Sequence, residues 1–430
     1  MESSIITLII VGVMLAFYLT ELLPIAVTSI LACLACSIFG VIPFNKAFEG
    51  FGNDLLFLMV GMLVVGTSLF ETGVAQLIGE RIISTVGTNK RIFAIACILV
   101  STLISLFMSN TATAALILPI TASAVAASGG KLTKKNTFMM MGIAVCAGGG
   151  LTLIGSTPQL IAQGILQEGG HEIVGFFEYS LIGLPVLILA IVYYLTIGGT
   201  LQDRAFNFSE VVDDTQANDN AINEMISSNN NGTSNSHIKM LISVGILLFC
   251  IIGFITEIWS MGIVAMIGAV LCIATKCITQ KKALEKMDWT TIIIIGCSFG
   301  ISNALDRSGA GRLVAHGMIN LLGNNISPWL LCSVLTLISS LLTNFMSSTA
   351  TASLLVPIAA LMAVELDYNV KAVVMAVAIA ANIGYATPIS TPPITMTLSG
   401  GYRFKDYVKV GGLLNLLAII LVIVLLPVIL

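Results

Sequence analysis

The sequence predicts an all-α integral membrane protein made of two inverted-topology repeats. Runs of the length that crosses a bilayer allow about 10 transmembrane helices, plus two re-entrant hairpins and unwound helices. Three observations carry this. Of the 430 residues, 57% are hydrophobic and 10% are charged, where soluble domains carry about 25% charge. A chain so apolar cannot cover its own surface in water. Apolar runs recur along it, and a polar, acidic stretch near the middle separates two halves whose motifs return in the same order.

The single runs lie at 4–20, 22–42, 54–70, 176–198, 240–256, 258–275, 289–305 and 411–429. Three longer regions, 92–127, 136–168 and 328–400, are interrupted by polar residues, glycines and prolines. Residues 201–238 hold Asp203, Glu210, Asp213, Asp214, Asp219, Glu224 and the run Asn229-Asn230-Asn231-Gly232. Such composition predicts a flexible linker. Residues 1–200 are then the first repeat, 201–238 an acidic linker and 239–430 the second repeat. Each repeat divides into scaffold helices and a hairpin with broken helices. The stretch Arg81–Arg91 and its mirror Arg312–Asn320 read as interfacial amphipathic helices.

The duplication rests on matches in order. Thr20-Glu21 returns as Thr256-Glu257, and Gly61 and Glu71 as Gly296 and Asp306. Phe107-Met108-Ser109-Asn110-Thr111-Ala112-Thr113-Ala114 returns as Phe345-Met346-Ser347-Ser348-Thr349-Ala350-Thr351-Ala352, and Pro119 as Pro357. Ser156-Thr157-Pro158 returns as Ser390-Thr391-Pro392. Five crossings per half with one hairpin each, and both termini outside, put fifteen of the 19 Lys and Arg residues on the cytoplasmic side with the linker. Lys46, Arg307, Arg312 and Lys371 remain outside. The expected location is the inner or plasma membrane. No basic stretch precedes the first apolar run, so no cleaved leader is expected.

The interruptions carry the chemistry. Ser105, Ser109, Asn110, Thr111 and Thr113 form a polar knot in the first half. Thr343, Asn344, Ser347, Ser348, Thr349 and Thr351 form its counterpart. Serine, asparagine and threonine cap helix starts, so each knot predicts a hairpin tip from which a second helix runs. Free N–H groups at such a start favour an anion. Gly148-Gly149-Gly150 before Gly155-Ser156-Thr157-Pro158, and Asn382, Gly384 and Pro388 before Ser390-Thr391-Pro392-Pro393, predict unwound segments with free carbonyls. Carbonyl and hydroxyl oxygens suit a small hard cation.

Other classes are disfavoured. Net charge is −3, so no basic field for nucleic acid exists. The nine cysteines sit in apolar runs, except Cys277 near a polar loop, with no paired spacing. No acid, base or metal cluster falls at mid-span, so enzyme chemistry lacks its titratable group. Glu21, Glu71, Glu257 and Asp306 come nearest the interior and read as span-end residues.

At Ser109-Asn110-Thr111 the chain resembles the divalent anion:sodium symporter (DASS) family, the di- or tricarboxylate and sulfate transporters of the ion transporter superfamily. Thr20-Glu21-Leu22-Leu23-Pro24 is similar to that family's entry segment, Ser109 to Ala114 to its first hairpin tip, and Thr157-Pro158 and Thr391-Pro392-Pro393 to its two breaks. The resemblance covers nearly the whole chain outside the linker. It implies sodium-coupled symport of a small anion, a C4-dicarboxylate first, by an elevator motion in a homodimer. It implies substrate contacts at Asn110, Thr111, Ser348, Thr349, Thr391 and Pro392. One sodium would sit among Ser105, Ser109, Asn110, Gly155 and Ser156, and another among Thr343, Met346, Ser348 and Ser390. The second tip departs from the family in reading Ser347-Ser348-Thr349, without asparagine, and the first break reads Thr157-Pro158-Gln159. Asn344 and Asn382 are the nearby amides of that half. A sulfate- or tartrate-type carrier, an exchanger, an anion channel and a non-transporting receptor are the alternatives.

Overall fold

A computed structural model describes residues 3–428 except 21, 75–76, 78–89, 129–131, 206–234, 257 and 323–325. Glu21, Glu257, residues 81–89 and most of the linker therefore lie outside the described residues. The described residues form helices and connecting turns, without strands. Among the described residues, six helices are long and apolar enough to cross a membrane, and shorter apolar helices accompany them.

The first half contains α1 (Ser3–Thr20), α2 (Ile25–Ile38), α3 (Asp54–Glu71), α4 (Lys90–Ser105), α5 (Asn110–Ala127), α6 (Lys134–Gly149), α7 (Thr157–Glu168) and α8 (Ser180–Tyr193). The second contains α9 (Asn235–Thr256), α10 (Met261–Ala274), α11 (Trp289–Ser308), α12 (Ala310–Leu322), α13 (Pro328–Thr343), α14 (Ser348–Glu365), α15 (Val370–Ala381), the short turn of helix Pro392–Met396 and α16 (Phe404–Leu425).

Local chemistry sets the bounds. Pro24 precedes α2, and the chain leaves it through Gly40 at φ +71°, a conformation glycine adopts without Cβ strain. The helix is thus shorter than the apolar run 22–42. The last helix starts at Phe404, seven residues before the apolar run, because Asp406 Oδ2 accepts from Arg403 N at 2.8 Å and satisfies an N–H at the helix start. The three long regions each split. Pro328 to Gly400 becomes α13, α14, α15 and the turn at Pro392.

Packing is reciprocal between the halves. α3 lies on α10, and α2 lies on α11. A Cβ on Gly61 would come 2.5 Å from the Ala265 carbonyl carbon, so only glycine lets α3 and α10 approach this closely. On the other pair, Cys33 Sγ donates to Cys297 O at 3.3 Å. A second group follows the same rule. α4 packs on α6 as α13 packs on α15. α7 crosses to α14 and α15, and the Pro392 turn crosses to α5 and α6. All nine cysteines are buried and unpaired.

Candidate functional site

The two polar knots are helix starts. α4 ends at Ser105 and α5 begins at Asn110; α13 ends at Thr343 and α14 begins at Ser348. Ser109 Oγ accepts from Ala112 N at 3.3 Å, and Ser347 Oγ accepts from Ala350 N at 3.2 Å. Each serine thereby satisfies one N–H of the first turn and leaves others free. Two further helix starts, after Ser156 and after Thr391, carry proline in the first turn, where its missing N–H costs nothing. None of these four starts has an acidic residue in its first turn.

All four converge on one cavity of about 90 Å³. The six residues expected to meet substrate, Asn110, Thr111, Ser348, Thr349, Thr391 and Pro392, all line it. Ser109, Gly155 and Ser156 line it as well. Met59, Met62 and Leu63 of α3, and Asp288 and Thr291 at the start of α11, form a further part of its wall. Those five were not singled out from sequence. The methionines and leucine look like ordinary span residues, and Asp288 reads as a helix cap.

Ser105, Thr343, Met346 and Ser390 lie behind the cavity rather than on its wall. Ser105 joins the first oxygen cluster. Its Oγ is 2.6 Å from Asn110 Oδ1 and 2.9 Å from Val145 O. The same Asn110 atom lies 3.1 Å from both Val145 O and Gly155 O. A hydroxyl, two carbonyls and an amide oxygen thus face one another. Half a turn of the amide relieves the repulsion by presenting its NH₂ to the three oxygens. Ser105 Oγ, Val145 O and Gly155 O are also oxygens of the kind that can replace the hydration shell of a small hard cation. Gly149 makes this cluster possible, because a Cβ there would overlap the Asn110 amide.

The second set is more committed to protein partners. Ser348 N donates to Ser390 O at 3.0 Å. Ser390 Oγ donates to Gly384 O and to Thr387 O, and Thr343 Oγ1 to Ser339 O at 2.9 Å. Met346, 1% exposed, sits in the turn between α13 and α14. The two amides near this half are also engaged. Asn344 Oδ1 accepts from Ala386 N at 3.1 Å, and Asn382 Oδ1 accepts from Ser156 Oγ. That last bond ties the two breaks together, and Cys146 Sγ on α6 lies 3.2 Å from Thr391 Oγ1 of the second.

An unwound segment in an apolar interior must have its backbone groups paired. Asn415 of α16 does much of this for the second break. Its Oδ1 accepts from Tyr385 N at 2.8 Å, and its Nδ2 donates to Ser340 Oγ at 3.2 Å. Asn415→Ala is expected to destabilise the protein by about 2 kcal/mol, because Tyr385 N–H is left buried and unpaired. Thermal unfolding in detergent reads this directly. Leu416→Ala, a change at the exposed neighbouring position, is the reference and should stay near wild type.

A ring of uncharged helix starts around one cavity, inside a bundle of apolar helices, is the construction of a multi-pass membrane transporter rather than an enzyme. The chain belongs to the CitMHS citrate transporter family, whose model matches residues 14–373. It is 25% identical to the sodium-dependent dicarboxylate transporter SdcS of Staphylococcus saprophyticus, over 95% of this chain and 82% of the relative. It is 27% identical to an uncharacterized transporter of Haemophilus influenzae, over 94% and 87% of the two chains. Among solved structures, Neisseria gonorrhoeae MtrF, described as illuminating a class of antimetabolite efflux pumps, superposes with a TM-score of 0.61. That match covers 91% of this chain and 83% of the other at 14% identity, and shows a shared fold.

Proposed function

We propose that this protein imports a small dianion, a C4-dicarboxylate, together with sodium. The observation that carries the reading is the convergence of four uncharged helix starts on one cavity beside the Asn110 oxygen cluster. The starts after Ser109, Ser156 and Ser347 each present part of a positive charge and free N–H groups, whereas at the Pro392 turn the two prolines have no N–H and Ile394 N and Thr395 N bond Thr391 O. Asn110, Thr111, Ser348, Thr349, Thr391 and Pro392 would hold the two carboxylates. Sodium, as a co-transported ion, would bind at Ser105, Ser109, Asn110, Gly155 and Ser156, with Val145 O as a further ligand. A second ion would use Thr343, Met346, Ser348 and Ser390. Sodium beside the cavity would supply the positive potential that no arginine supplies, so the anion and the cation bind cooperatively. The name of the staphylococcal relative supports both ions.

The remaining parts of the reading follow the expected layout. Residues 1–200 and 239–430 form inverted repeats around a cytoplasmic linker, 201–238, with both termini outside. α1, α2, α3, α9, α10 and α11 form the scaffold and the homodimer contact, and the hairpins and broken helices move against it. The test is uptake of labelled succinate into proteoliposomes. An inward sodium gradient is expected to raise initial uptake about tenfold or more over potassium, the ratio that a coupling free energy of about 1.4 kcal/mol produces. Uptake indifferent to sodium overturns the coupling. Single-channel conductance, or binding without flux, would replace the carrier by a channel or a receptor.

A further inference from the structure

Among the residues lining the substrate cavity, one has an ionisable side chain, and it carries the sign of the substrate. Asp288 is the N-cap of α11. Its Oδ1 accepts from Thr291 N at 3.1 Å and its Oδ2 from Thr291 Oγ1 at 2.5 Å, so the carboxylate is held in place. Capping alone does not call for a charge. Asn53, which stands at the matching position of the other repeat by the Gly61-to-Gly296 offset, caps α3 with a neutral amide that accepts from Leu55 N at 2.9 Å. Asparagine and aspartate cap equally well. The four helix starts that face the cavity from the hairpins and breaks lack any acid in the first turn. A fixed negative charge therefore stands on one wall of a cavity otherwise lined by neutral polar and apolar residues.

We propose that Asp288 sets the charge limit of the site, admitting a dianion and rejecting a third ionised carboxylate. A dicarboxylate spans the two hairpin tips, with its charges on the N–H groups of those tips and of the Ser156 start. A third carboxylate exceeds what those three starts hold and meets the wall where Asp288 stands. Like charges within one cavity of about 90 Å³ repel by enough to change affinity about tenfold in a partly hydrated site. The proposal rests on the dicarboxylate reading above and deepens it.

The experiment measures inhibition of sodium-driven succinate uptake by tricarballylate, a trianion at neutral pH, and by its monomethyl ester, nearly the same size with one charge fewer. In the wild type, tricarballylate is expected to inhibit about tenfold more weakly than the ester. In Asp288→Asn, tricarballylate tightens about tenfold, the ester and succinate tighten less, and the gap between trianion and ester closes. Asp288→Glu restores the gap. If both inhibitors keep the same ratio in wild type and Asp288→Asn, charge selection by Asp288 is wrong. If wild type excludes both equally, exclusion is by size and the proposal also falls. A wild type that takes up no dicarboxylate refutes the transport reading instead, and the two failures are told apart by the succinate control.

Discussion

Asn110→Ala is expected to reduce sodium-driven succinate uptake at least about a hundredfold while the helices remain formed. In the proposed site, Asn110 serves both the ion and the substrate. Its amide faces the oxygen cluster with Ser105, Val145 O and Gly155 O, and the residue lines the cavity. In the proposed site, alanine would remove a ligand from the ion and a hydrogen-bonding group from the substrate wall. Loss of one buried polar contact to a charged species costs about 1.5–3 kcal/mol, and two coupled losses give the hundredfold. Helix α5 should survive because Ser109 still caps it through Ala112 N. The measurement is initial uptake, paired with the shift in melting temperature that sodium produces. Wild type should be stabilised by sodium, and the variant should show little of that shift. Transport and sodium stabilisation at wild-type levels would remove Asn110 from the site.

Gly149→Ala tests the same cluster without touching a ligand. A Cβ at that position would overlap the Asn110 amide, with Cγ and Nδ2 both 2.7 Å away. The amide must swing out, or the end of α6 must move from α5. Overpacking of this kind costs about 1–3 kcal/mol. Sodium affinity is therefore expected to fall about tenfold or more, with loss of uptake close to that of Asn110→Ala. The double variant should be little worse than Asn110→Ala alone, because alanine at 110 removes the atoms that collide. Additive losses would mean that Gly149 acts elsewhere.

Much of this site was legible in the chain because its parts are side chains with local jobs. Ser109 and Ser347 announce helix starts by the chemistry of capping, and Thr157-Pro158 and Thr391-Pro392 announce breaks by the missing proline N–H. Their recurrence in both halves marked them out from the small residues that merely let helices pack. What escaped notice had no such local mark. Val145 contributes a carbonyl, which every residue owns. Asp288 and Thr291 reach the cavity by the packing of α11 against both halves, a contact no spacing encodes. Asn415 did carry a signal, an amide within the apolar run 411–429, and it proved to pair the backbone of a break 30 residues earlier. The bounds of α2 and α16 also departed from the hydropathy runs, because hydropathy registers the surrounding lipid while caps and glycines end the helix.

The reciprocal crossing of α7 and the Pro392 turn has a consequence for synthesis. When residues 1–200 have emerged, α7 has neither α14 nor α15 to lie on, and α5 and α6 await the Pro392 turn. The nascent first half therefore enters the membrane with its future interior uncovered, and α7 gains its proper neighbours only when the last third of the chain has been made. Quality control must tolerate a half-built protein for that interval, and a chain truncated before Pro392 presents an open seam to the degradation machinery.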